Sequence, residues 1–285
     1  MLGECHAHVI MDGKNYKEAM NLHKNGVAEE VIHQCFGAYK AAGITFIRDG
    51  GDKYGVSKRA KELAPEYGIE YLTPMFAIHK SGHYGSIVGR AFETIREYAK
   101  LVTEVKCSGG DFIKIMVSGL IDFSQYGVLT EEGIAPELIK EMVHIAHEEG
   151  FSVMAHCNGA RIMEAAADAG VDSIEHGAYS DEQALQAMVE NHVIWTPTVS
   201  PIGNLKGGGR FKDEITEKIA AHHMEMIKKY VALDGRIALG SDAGAWRVPH
   251  VEGLWTELAY LKTIVDESHL EETEKMIKKR FSKRN

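Results

Sequence analysis

Short apolar runs alternate with longer amphipathic stretches along this whole sequence, and that alternation limits the folds open to it. The runs are Leu2–Val9, Gly43–Asp49, Glu70–Ala77, Phe112–Val117, Ser152–His156, Ser173–Glu175, Val193–Thr196 and Ile237–Gly240. Most are rich in Ile, Val, Thr and Phe, the residues that strands favour. Between them apolar residues recur three and four apart, the helical period. Such stretches are Ala28–Ala42, Ile87–Lys106, Pro136–Glu149, Arg161–Ala169, Asp181–Asn191, Asp213–Ala232 and Gly253–Asp266. Glycine closes several of them, as in Ala42-Gly43, Glu149-Gly150 and Ala169-Gly170, where a helix hands over to a strand. Eight strand–helix units over 285 residues give about 36 residues per unit, the repeat of an α/β, (β/α)8 TIM barrel. The competing doubly wound sheet lacks a G-x-G-x-x-G or Walker sequence after the first strand. No Pro-, Gly- or Ser-rich linker interrupts the chain, so a single domain over residues 1–285 is expected.

Composition closes off other classes. The formal charge is −9, which argues against a nucleic-acid or anionic-membrane partner. No apolar stretch nears the ~20 residues of a membrane helix. The N-terminus has no basic patch followed by an apolar run, so no signal peptide is read. Cys5, Cys35, Cys107 and Cys157 form no CxxC pair and fit a reducing, cytoplasmic setting. The basic residues Lys278, Lys279, Arg280, Lys283 and Arg284 read as the solvated end of a last helix. The partner expected is a small molecule, with oligomeric state left open.

In a barrel of this kind, chemistry sits at the C-terminal ends of the strands. The first run ends in His6-Ala7-His8. Strand residues two apart face the same way, so the two imidazoles can grip one metal ion. Lys114 lies inside the apolar run Phe112–Val117, where an ammonium is costly unless paired or chemically altered. His156, His176 and Asp242 stand at the ends of the fifth, sixth and eighth runs. Each residue alone has an ordinary explanation: a core histidine, a buried ion pair, a helix cap. Together they converge on one mouth, and coincidence does not account for them.

This constellation resembles the amidohydrolase superfamily, and within it the branch of imidazolonepropionase-like and prolidase-like metal-dependent hydrolases. The matching segments are His6-Ala7-His8, Ala42–Asp49, Phe112–Met116, Ala155–Ala160, Gly170–Gly177 and Gly240–Gly244. They run in family order and cover almost the whole chain. The resemblance implies two divalent ions, usually zinc. His6, His8 and Asp242 would hold the more buried ion, and His156 and His176 the other. Lys114 would carry a carbamate that bridges the two. A bridging hydroxide would attack the carbonyl, and Asp242 would pass its proton to the leaving nitrogen. The implied reaction is hydrolysis of an amide C–N bond in an N-acyl amino acid, a short peptide or a cyclic amide. An ester, lactone or phosphotriester on the same centre is the alternative, followed by a metal-binding barrel without turnover. One-metal deaminases of the family lack the strand-four lysine and carry H-x-x-E where this chain has His156-Cys157-Asn158-Gly159.

Relatives in this branch place residues before the first strand and after the last that pair into a small β-sandwich. This chain begins at its first strand, so it is read as a barrel without the flanking sandwich, either a naturally minimal one or a truncated piece. Substrate contacts should come from loops at the same mouth: His83 and Tyr84, Tyr126, Arg210, and Arg247 and His250. Arg48 and Asp49 are expected inside the barrel or behind the ligands. His144, His147, His222 and His223 fall on helices and are read as structural.

Overall fold

The computed structural model describes residues 2–282; Lys283 and Arg284 of the basic end lie outside the described residues. The order is β1 (Glu4–Ala7), α1 (Tyr16–Asn21), α2 (Glu29–Ala41), β2 (Phe46–Asp49), α3 (Val56–Leu63) and a short 3-10 turn. Next come β3 (Glu70–Leu72), β4 (Ala77–Lys80), β5 (Gly89–Phe92), α4 (Ile95–Ser108), β6 (Ile113–Met116), α5 (Pro136–Glu148), β7 (Val153–Cys157) and α6 (Ala160–Asp168). The chain continues through β8 (Ser173–His176), α7 (Glu182–Glu190), β9 (Ile194–Thr196), α8 (Ser200–Gly203) and α9 (Asp213–Ala232). It closes with β10 (Arg236–Ile237), α10 (Glu252–Leu261) and α11 (Glu267–Phe281).

The strand pairs are parallel, in two runs: β1-β2-β3, and β10-β9-β8-β7-β6-β4-β5. Backbone hydrogen bonds join the runs at both seams. Cys5 N donates to Leu239 O and Asp242 N to His6 O at one seam, and Asp111 N to Thr73 O at the other. The result is a closed (β/α)8 barrel. Its third position is shared by β3 and β4, since β3 pairs with β2 and β4 with β6.

That third position differs from the expected single strand Glu70–Ala77. Pro74 has no N–H to offer a ladder, and Met75 sits at φ 67, outside the strand region. The strand therefore breaks at residues 73–76 and resumes as β4. The expected helix Ile87–Lys106 is likewise corrected at its start. Gly89–Phe92 pairs with β4 as β5, and α4 begins only after Thr94. There Thr94 Oγ1 accepts from Glu97 N while Glu97 accepts from Thr94 N, a reciprocal cap that sets the helix start. The periodicity of the apolar residues ran through this cap and hid it. Similarly, the stretch expected as one helix over Gly253–Asp266 ends at Leu261, and Asp266 caps α11 by accepting from His269 N.

The barrel floor is one apolar layer. Cys5, Phe46, Leu72, Phe112, Met154, Ile194 and Ala238 supply it from the strands, and Ile277 and Phe281 of α11 plug it from below. Phe281 meets Phe112 edge to face at 5.3 Å. Gly3 N donates to Glu274 Oε2 at 2.6 Å, fastening α11 to the strand that carries the paired histidines. Closing the floor leaves the opposite, C-terminal mouth as the open end. Among the described residues, no helix is long and apolar enough to cross a membrane.

Candidate metal centre

The end of β1 delivers two histidines to one point. His6 Nε2 and His8 Nε2 lie 3.2 and 3.3 Å from Lys114 Nζ, which β6 brings up from below. Asp242, just past β10, places Oδ1 3.6 Å from His6 Nε2 and 3.7 Å from His8 Nε2. Zinc–ligand bonds of about 2.0–2.2 Å span separations up to about 4.2 Å, so these gaps suit a single ion. All three donor atoms lie within 4.8 Å of one another.

The tautomers agree with that use. Glu175 Oε2 stands 2.7 Å from His6 Nδ1. A carboxylate held by Arg48 can only accept, so Nδ1 carries the proton and Nε2 presents its lone pair. His156 and His176 meet edge to face at 4.6 Å between ring centroids, and His176 lies 5.1 Å from His6. His156 Nε2 donates to the Gly119 carbonyl, which leaves Nδ1 as its lone-pair nitrogen. His176 Nδ1 is 2.8 Å from Thr198 Oγ1. Burial holds His6, His8 and His176 well below the usual imidazole range and pushes His156 down to about 3, with the nearby Lys114 charge adding to the effect. All four are therefore neutral at physiological pH, the form that binds metals. Burial lowers Lys114 against the pull of Asp242 and Glu175. Burial also pushes Asp242 up to about 7 despite Lys114. Two imidazole nitrogens and a carboxylate oxygen converge on one point, and that donor set fits a divalent ion.

The backbone is bent to make this geometry. His176, Thr198 and Asp242 have φ of 70, 47 and 58, the left-handed region that costs a non-glycine residue energy. At His176 the bend breaks strand alternation. Neighbouring Glu175 and His176 then both reach His6, one by hydrogen bond and one by ring contact. Gly50, after β2, lies against the same group: a Cβ there would collide with His8 Cε1 and Lys114 Nζ. Gly50→Ala is expected to displace His8 and lower divalent-ion affinity by about 10- to 100-fold, the range seen when ligand orientation is disturbed. Metal titration of the folded variant, with circular dichroism as the fold control, checks this.

Behind the ligands, Asp49 Oδ2 accepts from Val9 N and Oδ1 from Gly51 N and Ser57 Oγ, steadying the loop that carries His8. Asn158 ties three strand ends together. Its N–H donates to Ser118 Oγ, its amide to Gly119 O, and its Oδ1 accepts from Ala178 N. Above lies a cavity of about 380 Å³ floored by His8, Lys114, His156, His176 and Asp242 and walled mainly by apolar side chains.

Of the six loop residues expected to contact substrate, Arg210 and Tyr84 line this cavity. His83, Tyr126, Arg247 and His250 stand outside its lining. His83 faces Glu131 at 3.7 Å. Tyr126 packs on Tyr179 at 5.6 Å, beneath Lys218. His250 is held by Met11 O and Tyr39 Oη. The Tyr84 ring lies 4.9 Å from that of His156. Among the helical histidines, His147 pairs with Asp172 and His223 bonds the Pro197 carbonyl. Glu175, Gly50 and Asn158 have no role in the sequence reading. Glu175 follows Ser173 into the barrel by alternation, both bonded to Arg48, and the left-handed turn brings His176 to the same side.

The sequence profile of the amidohydrolase family matches residues 4–281. Ochratoxinase from Aspergillus niger is 26% identical over 197 residues, an alignment that takes in 64% of this chain and 38% of that enzyme. The chain thus matches well under half of that relative's length. The crystal structure of A. niger ochratoxinase superposes with a TM-score of 0.76 at 21% identity, covering 96% of this chain and 68% of the other. A Xaa-Pro dipeptidase with methionine bound in its active site gives 0.77 at 22% identity, covering 97% and 75%. A prolidase bound to N-methylphosphonate-L-proline gives 0.76 at 20%, covering 97% and 74%. These structural likenesses show the fold.

Proposed function

This chain belongs to the amidohydrolase family, and from that premise we propose that it is a binuclear, divalent-metal hydrolase that cleaves an amide C–N bond in a small molecule. One observation carries the reading. Three neutral imidazoles, Asp242 and a buried lysine meet on the floor of a largely apolar cavity at the open mouth of the barrel, with the neutral His6 ring packed against them. His6, His8 and Asp242 would hold one ion, zinc by donor type, and His156 and His176 a second. Lys114, as its carbamate, would lie between them; its lowered basicity favours the neutral amine that carbon dioxide requires. Divalent ions bound there would supply Lewis acidity, easing deprotonation of water and polarising the scissile carbonyl.

The chain's own residues do the rest. Asp242 can accept a proton at its carboxylate and deliver it to the leaving nitrogen. Glu175 and Thr198 fix two imidazole orientations. Tyr84, whose burial keeps its hydroxyl protonated, can donate to the substrate carbonyl. The printed activities of the relatives, a dipeptidase, a prolidase and an ochratoxinase, support a small amide substrate. The unpaired cysteines support a reducing, cytoplasmic setting.

The test is a substrate panel of N-acyl amino acids, dipeptides, cyclic amides, lactones and phosphotriesters. Amide turnover that a chelator abolishes and zinc restores is expected. Protein carrying two ions that leaves every amide intact would overturn the reading. Metal affinity should also depend on pH with a definite sign. Asp242 of the metal-free protein is protonated below about 7, and an ion must displace that proton. The imidazoles are already neutral and add no competition there. Zinc affinity should weaken by about tenfold per pH unit below 7, and Asp242→Asn should remove that limb while weakening binding throughout. Competition titrations with a chelator between pH 5.5 and 7.5 read the slope.

A further inference from the structure

Resting on the hydrolase reading, we propose that Arg210 selects the substrate by docking a free carboxylate. On this proposal the substrates are N-acyl amino acids with an apolar body, rather than dipeptides with a free amino terminus. The argument is a charge census of the cavity. Apart from the groups on its floor, Arg210 is the one ionic side chain among the described lining residues. Its guanidinium lies 5.2 Å from the Phe211 ring centroid and 5.0 Å from that of Trp246. No hydrogen bond or ion pair engages it among the described residues. An arginine lying against two aromatic rings that meet edge to face, 6.4 Å apart, keeps its planar fork of donors free, and that fork matches a carboxylate two bonds at a time. Ring contacts also reduce the side-chain freedom lost on binding.

The same census separates substrate types. Asp242 is the only carboxylate among the described lining residues, and its oxygen belongs to the histidine cluster. A free α-ammonium would be desolvated with no acidic partner, which is unfavourable. An acylated nitrogen carries no such charge. The walls of the same cavity are largely apolar, with Ile121, Phe123, Ile202 and Leu205 among them. A volume of about 380 Å³ falls in the range for small-molecule sites. One anion, one apolar body and no cation describe an N-acyl amino acid whose acyl group or side chain is hydrophobic.

Binding to metal-free protein isolates this proposal from turnover. Calorimetry with N-benzoyl-L-leucine, its methyl ester and L-leucyl-L-leucine should show the acid binding most tightly. Arg210→Gln should weaken the acid by about 10- to 100-fold, as expected for a lost charge-assisted pair, and Arg210→Lys should restore part of it. The methyl ester should be insensitive to the substitution. In the zinc-loaded enzyme, Arg210→Gln should raise KM for the acid with little change in kcat. No binding of the acid, equal binding by parent and Arg210→Gln, or a dipeptide that binds as tightly as the acyl compound would overturn the proposal. Arg210-dependent binding without hydrolysis would instead sink the hydrolase reading and leave this one standing. Hydrolysis whose KM ignores Arg210 would do the reverse.

Discussion

Lys114→Ala is expected to give a folded barrel that retains about one divalent ion where the parent chain holds two, with amide hydrolysis reduced by about 10³-fold or more. The asymmetry follows from counting ligands. The first ion keeps His6, His8 and Asp242, three protein donors with one anionic charge, which is enough for a zinc site. The second would keep only His156 and His176, two neutral imidazoles, and a doubly charged ion needs more than that. Losing the second ion removes Lewis-acid stabilisation of several kcal/mol, which converts to about three powers of ten in rate. Elemental analysis of parent and variant reads the ion count directly. Adding a short carboxylate such as propionate, which fits the space vacated and replaces the missing anion, should restore part of both ion content and rate. Two ions in Lys114→Ala, or an unchanged rate, would show that the lysine bridges nothing.

The parts of this centre that were legible in the sequence are those fixed by strand periodicity. His6 and His8 are two apart on one strand, so their convergence could be read before any fold was known. Lys114 was conspicuous because it interrupts an apolar run, and the spacing of eight such runs announced the barrel. What stayed hidden was set by local backbone departures. The break at Pro74-Met75 splits one expected strand, and the Thr94–Glu97 cap shortens one expected helix. The left-handed turn at His176 brings that ring to the same side as Glu175, against the rule of alternation. Loop residues were least legible. His83, Tyr126, Arg210 and His250 share plausible chemistry, yet only tertiary packing decides that Arg210 reaches the cavity while His250 is consumed by Met11 and Tyr39.

Glu175 carries the second large expectation, because it serves two masters. Arg48 and Glu175 form an ion pair with no exposure on either side chain. Arg48 Nη2 donates to both Glu175 oxygens at 2.9 and 3.0 Å and to Thr196 Oγ1, while Nε donates to Cys5 O and Nη1 to Ser173 Oγ. The guanidinium also lies 4.5 Å over the Phe281 ring that plugs the floor. Arg48→Met strands a carboxylate in the barrel interior and should lower unfolding stability of the metal-free protein by about 3–5 kcal/mol. Replacing both partners, Arg48→Met with Glu175→Leu, removes the stranded charge and should return most of that stability, since an apolar pair of similar volume carries no desolvation cost. Metal affinity should not return with it. Without Glu175 the His6 ring loses the acceptor that holds Nδ1 protonated and Nε2 aimed at the ion, and affinity should stay about 10- to 100-fold below the parent. Urea unfolding and zinc competition on the same three proteins separate the two roles. Recovery of both together would mean that the pair acts on the metal site only through the fold, while recovery of stability alone identifies Glu175 as the residue that positions His6.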